Sequence, residues 1–445
     1  MTAQTPSATT MRPKPVRPGP DEHYDALDGV RAIAAFGVLV LHVAADTGDT
    51  LKQNAVAWLF SGGAIAVTVF FTLSGLLLFR PWVAALLDVD GDRTVRVRTY
   101  FRRRAFRILP AYWALVAYVM IVILSSHLGD AWTWLRLLTF SYTYDPHPWW
   151  GNGLGPEGLW QIWSLTVEVA WYVLLPVTAA LLTWYARLGE RGTPDAGRRA
   201  RRLLQGIAAY AALSFIYTIF LFHPKYAPLL GEWLPRYLAW FAIGMALAVV
   251  SVHARTGSAR AARFGRTVAR SWGTCWLIAA VAYCIAASPF SGPTDLTTID
   301  TIWTSEFRIV TYGAVALFAI APVALAPAGD PVMRAVLGNR VMRFLGRISY
   351  GVFLWQVPVL IGWSELVGHT PFSGHFLTEF PVIAVLSIGV ATISFYYIEQ
   401  PFLRLASRRR RSGQPAPGQP VSGPAAPVGG PAERHEQAGE DDQAP

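Results

Sequence analysis

Ten apolar runs, each long enough to form a helix across a hydrocarbon core of about 30 Å, constrain this chain more than any motif. They lie near residues 28–46, 64–85, 110–127, 160–184, 204–222, 235–252, 272–288, 307–327, 344–363 and 379–398. Inside lipid a backbone must satisfy its own polar groups, so such runs predict helices. The predicted fold class is all-α: a polytopic membrane helical bundle of about ten transmembrane helices. Only 15% of the 445 residues are charged and 53% are hydrophobic. That leaves too little polar surface to coat a soluble enzyme, a nucleic-acid-binding domain or a disordered regulator.

The basic residues give an independent reading of topology. Seven Arg fall in 88–109, six in 185–203, five in 253–271 and four in 328–347. The alternate connections hold only Lys52, Arg136, Lys225, Arg236 and Arg308, a split of 33 against 5. The positive-inside rule then predicts both termini in the cytoplasm. Residues 1–24 and 406–445, rich in Pro, Gly and small or charged residues, read as disordered cytoplasmic tails around a membrane domain over 25–405. The first of them lacks the apolar core of a cleavable signal peptide. Cys275 and Cys284 sit nine apart in one run, about 13 Å along a helix. They are too far apart to bridge, and no metal site is expected.

Ionisable residues inside spans are costly, and so are functional candidates. His42 lies fourteen residues after Asp28 in the first span, and Glu168 lies in the fourth. Read at comparable depth, they could meet in one cavity, the imidazole as general base and the carboxylate orienting it. The alternative is a structural hydrogen bond locking two helices. Asp46, one turn beyond His42, could hold its tautomer or stand solvated at the mouth. The segment FRRRAFRILP joins spans two and three on the basic side. Arg104 and Arg107 there suit a phosphorylated ligand, since guanidinium forks bind phosphate bidentately. Anchoring to anionic lipid explains such a loop equally. Trp132, Trp134, Tyr142, Tyr144, Trp149 and Trp150 read as an interfacial belt or a sugar-stacking platform. A phosphate-binding Gly-rich loop, a zinc motif and a serine-nucleophile elbow are absent from the sequence.

LDGVRAIAAFGVLVLH, with eleven residues from Arg31 to His42, resembles the opening motif of the membrane-bound acyltransferase family 3. So do FFTLSGLLLF, FRRRAFRILPAYW, IWSLTVEVAWY, RISYGVFLWQVP and YYIEQPFLR, in family order, across about 25–405. The resemblance implies an O-acyltransferase in a bacterial plasma (inner) membrane. It would move an acyl group, acetyl being the first expectation, from cytosolic acyl-CoA to a hydroxyl of a glycan, glycolipid or secondary metabolite. It implies His42 and Glu168 as catalytic residues and Arg31, Arg104 and Arg107 as ligands of the CoA phosphates, with acyl-CoA a co-substrate and no cofactor. Many members carry a His where this chain has Gln356. The family's further C-terminal hydrolase-like domain is not expected after residue 405. A proton-coupled transporter or flippase, with His42 and Glu168 handling the proton, is the competing class.

Site-specific cysteine labelling in intact cells checks the topology. Positions near 95, 195, 262 and 338 are expected to be protected, and those near 53, 145, 296 and 370 to be labelled. Labelling near 195 or 262 from outside breaks the ten-span arrangement.

Overall fold

The computed structural model describes residues 25–408 except 53, 89–93, 152–153, 295–297, 299, 328 and 371. The two expected tails therefore lie outside the described residues, apart from 406–408. Fifteen α-helices appear among the described residues, and no strands. The spanning helices are α1 (Asp25–Asp46), α3 (Ile65–Leu87), α4 (Val97–Tyr118), α6 (Trp163–Arg187) and α7 (Ala196–Phe222). The later ones are α8 (Leu238–His253), α10 (Trp272–Ala287), α11 (Ile302–Leu325), α13 (Arg340–Val367) and α14 (Phe376–Ser394). Shorter helices fill the connections: α2 (Ala55–Ser61), α5 (Ala131–Leu138), α9 (Ala259–Arg270), α12 (Pro331–Val336) and α15 (Gln400–Arg408). Each of the ten predicted runs coincides with one spanning helix.

Nine of these are long and apolar enough to cross unaided, and the tenth is bent by 68° between α9 and α10. Helix direction shows that α10 crosses. Arg343 pairs with Asp25 at 3.1 Å, and Ser364 donates to Asp46 at 3.0 Å. A Cβ on Gly346 would meet the Asp28 carbonyl. All three contacts share one offset of 318 residues, so α1 and α13 run parallel in register. Parallel first and ninth spans need an odd number of crossings between them, and α3, α4, α6, α7, α8, α10 and α11 supply seven. Without α10 the two would be antiparallel.

The Arg-rich segment is not a loop. Arg is a good helix former, and α4 begins at Val97, so Arg102 to Arg107 form its first turns. Hydropathy had marked only the apolar part of this helix. On α6 one face carries exposed Val173, Val177, Leu181 and Trp184, an i, i+4, i+8 stripe that faces lipid. The opposite stripe, Ser164, Glu168 and Tyr172, faces inward.

The tightest crossing is α3 on α8. A Cβ on Gly244 would lie 1.9 Å from the Thr72 carbonyl oxygen, and one on Gly75 would lie 2.2 Å from that of Phe241. Thr72 also donates to the Trp240 carbonyl at 3.0 Å. Small residues allow such backbone contact between membrane helices, where no hydrophobic drive brings them together. Because the obstacle is main chain, Gly244→Ala should lower detergent thermal stability, the overpacking costing about 1–3 kcal/mol. Gly389, whose Cβ would meet nothing within 4 Å, is the control. Gly389→Ala should leave the melting temperature unchanged or raised.

Candidate active site

A cavity of about 360 Å³ opens among α1, α3, α4, α6 and α13. The spacing on α4 builds one wall: Arg104, Arg107 and Ile108 stand at i, i+3 and i+4 and share a face. α1 contributes Asp28 and Arg31, α3 contributes Ser74, α6 contributes Ser164, Glu168 and Tyr172, and α13 contributes Ser349, Tyr350 and Phe353. Four of the five residues singled out from the sequence, Arg31, Arg104, Arg107 and Glu168, therefore line one space.

The cavity is cationic. Arg31 lies within electrostatic reach of both Arg104 and Arg107. Arg31 pairs with Asp28 at 3.5 Å. Among the described residues no carboxylate lies within ion-pair distance of Arg104 or Arg107. Two guanidiniums with no carboxylate at ion-pair distance, beside a third, can take an anion. Arg31 and Asp28 side chains keep 21% and 27% exposure, so the cavity reaches the surface at this end.

Glu168 is held by its neighbours. Its carboxylate accepts a hydrogen bond from the Ser74 hydroxyl and another, at 2.5 Å, from Tyr172. Tyr100 donates to the Tyr172 carbonyl and Tyr350 to that of Ile108, at 3.1 and 2.9 Å. Reading from sequence missed Tyr172, although it sits one turn after Glu168 on the same face. Ser74 was visible only as part of a motif.

The expected meeting of His42 with Glu168 does not occur. A Cβ on Gly37 would touch Ala66, and one on Gly63 would touch Leu41. These contacts fix α3 antiparallel to α1 and carry Ser74, with its partner Glu168, down to about the level of Gly29. His42 is then roughly 20 Å away along the axis. Its side chain lies against Gln356 instead. Asp46 does not hold the imidazole either, because its carboxylate accepts from Ser364. In the connection after α4, Trp132, Tyr144 and Trp149 are exposed while Tyr142 is buried. Arg136 covers the Trp132 ring at 5.1 Å.

Comparison with known proteins identifies the family. The family model described as an acyltransferase domain, Acyl_transf_3, matches residues 24–397. A putative peptidoglycan O-acetyltransferase, YrhL of Bacillus subtilis, is 26% identical over 391 residues, covering 84% of this chain and 54% of the relative. The peptidoglycan O-acetyltransferase OatA of Listeria monocytogenes is 23% identical over 403 residues, covering 85% and 56%. The chain thus spans about half the length of these curated relatives. No solved structure matches. A ten-span bundle, a cationic intramembrane cavity and a family match over most of its length place this chain in the acyltransferase 3 family of multi-pass membrane proteins.

Proposed function

We propose that the chain is a membrane O-acyltransferase that takes an acyl group from acyl-CoA at the Arg-rich end and delivers it to a glycan hydroxyl at His42. The observation that carries this reading is the cluster of Arg31, Arg104 and Arg107 on one cavity, with no carboxylate among the described residues at ion-pair distance of Arg104 or Arg107. A CoA donor is a polyanion on a long, flexible thioester arm. Its phosphates fit the guanidiniums, and its arm points along the bundle toward His42, eleven residues and about 16 Å from Arg31. The basic side faces the cytoplasm in this reading, where acyl-CoA is made, and the membrane is the bacterial plasma membrane. The peptidoglycan O-acetyltransferases among its relatives favour acetyl as the group and a cell-envelope glycan as the acceptor.

In the chemical step His42 takes the acceptor hydroxyl proton as the oxygen attacks the thioester carbon. The C–O bond forms, the C–S bond breaks, and the CoA thiolate leaves and is protonated. Glu168 works at the donor end. Held by Ser74 and Tyr172, its charge lies beside Arg104 and offsets the repulsion among three guanidiniums. The transporter alternative rested on His42 and Glu168 as a proton-handling pair, and their separation removes the pair.

Arg104→Ala and Arg107→Ala should each raise the apparent KM for acetyl-CoA roughly 10–100-fold, the worth of a charge-assisted phosphate contact. Exposed Arg266 of α9 is the control: an equal, mild loss in Arg266→Ala leaves lipid anchoring as the role of all three.

His42→Ala should cut transfer by about 10²–10⁴-fold, the usual contribution of a general base. Acetyl-CoA affinity and thermal stability should stay at wild-type values. Glu168→Gln should instead weaken donor binding. A folded His42→Ala protein with near wild-type transfer overturns the assignment of the base.

A further inference from the structure

One helical turn beyond the cavity lies a second polar layer that the donor site does not use. Ser164 and Phe353 line the cavity on α6 and α13. Gln161 precedes Ser164 by three residues, and Gln356 follows Phe353 by three. These helices run in opposite directions, so both steps lead toward the same end, where His42 stands. The register of α1 on α13 puts His42 opposite Leu360, one turn from Gln356.

Both glutamines are buried, with 3% and 1% exposure. Their amide nitrogens are occupied: Gln161 donates to the Leu354 carbonyl at 2.9 Å, and Gln356 to that of Phe353 at 3.3 Å. Their amide oxygens have no partner, and neither has Nδ1 of His42. Buried polar groups are ordinarily paired, and each exception calls for an explanation. The two amide oxygens only accept, while Nδ1 of His42, whose ring lies against Gln356, accepts or donates with its tautomer. An acyl chain and an ionised phosphate carry no proton to give those oxygens. A molecule with several hydroxyls does; the amide N–H groups of a CoA arm do too, and the test below separates donor from acceptor.

We propose that Gln161 and Gln356 form the acceptor subsite. Their amide oxygens receive protons from neighbouring hydroxyls of a polyhydroxylated alcohol, a sugar ring being the fitting class. A further hydroxyl of the same molecule then meets His42. This inference rests on the reading of His42 as the base and adds the recognition that selects the acceptor. It assigns Gln356 a binding role, which an amide performs and which needs no second imidazole.

The test uses the full chain purified in detergent, with soluble chito-oligosaccharide as the probe. Calorimetric binding of the probe and CoA release from acetyl-CoA are measured separately. Met replaces Gln at similar volume without an amide oxygen. Gln161→Met and Gln356→Met should each weaken probe binding about tenfold, the value of one lost hydrogen bond to a buried acceptor. The KM for acetyl-CoA should stay at its wild-type value. Either substitution decides the matter, so one that fails to fold leaves the other. Unchanged probe affinity, an equal loss toward donor and probe, or a wild-type protein that ignores the probe overturns the subsite. Glutamine-dependent probe binding without CoA release upholds the subsite and overturns the acyl-transfer reading instead.

Discussion

Three guanidinium groups facing one space inside an apolar bundle are the feature that the rest of the architecture accommodates. A charge within a membrane-spanning segment is costly, and like charges add repulsion. Five helices surround the cluster and divide the cost. α1 places Asp28 against Arg31. α6 brings Glu168, whose carboxylate takes hydrogen bonds from α3 and from its own next turn. Tyr100 and Tyr350 fasten α4 to α6 and α13 to α4 through main-chain carbonyls. The protein supplies enough negative charge to hold the arginines in place and leaves Arg104 and Arg107 for a ligand. A fully paired cluster would be more stable and would bind nothing.

Depth in this bundle is set by close backbone contacts, and this determines what could be read from the sequence. The spans were legible because their length and the placement of Arg are both one-dimensional signals. Arg104 and Arg107 were legible as a local density on one face. The relation of His42 to Glu168 was not. Depth measured from the ends of apolar runs put them level. The actual depth of Glu168 follows from α3, whose register against α1 is set by Gly37 and Gly63, and from the Ser74 hydrogen bond. Neither contact has a sequence signature. The start of α4 was hidden for a related reason, since hydropathy registers the apolar part of a helix and Arg-rich turns look like a loop.

The parallel pairing of α1 with α13 ties these depths together. One offset holds from Asp25 at the basic end to Asp46 at the other, so the two helices act as a common ruler. Arg31 and His42 are eleven residues apart, three turns of an α-helix to within about 20°. They therefore lie on one face of α1, at two depths. The spacing in LDGVRAIAAFGVLVLH is thus a distance as much as a motif. In the proposed reaction it would separate a site for the donor's phosphates from a site for proton transfer.

Between the two sites the bundle is apolar. Phe353 lines the cavity below Gln356 and meets Phe70, another lining residue, at 6.3 Å between ring centroids. On α1, Ala35 and Val38 are buried between Arg31 and His42. Such a partition disfavours water and free ions. His42 therefore stands apart from the cationic cavity, in a layer with the buried Gln161 and Gln356. That separation has a chemical consequence for an acyltransferase. In the proposed reaction water competes with the acceptor for the thioester, and a base set beyond aromatic and aliphatic side chains would meet less of it. The donor's charge would be held at one depth in that reaction and its reacting carbon used at another, so recognition of the donor need not admit solvent to His42.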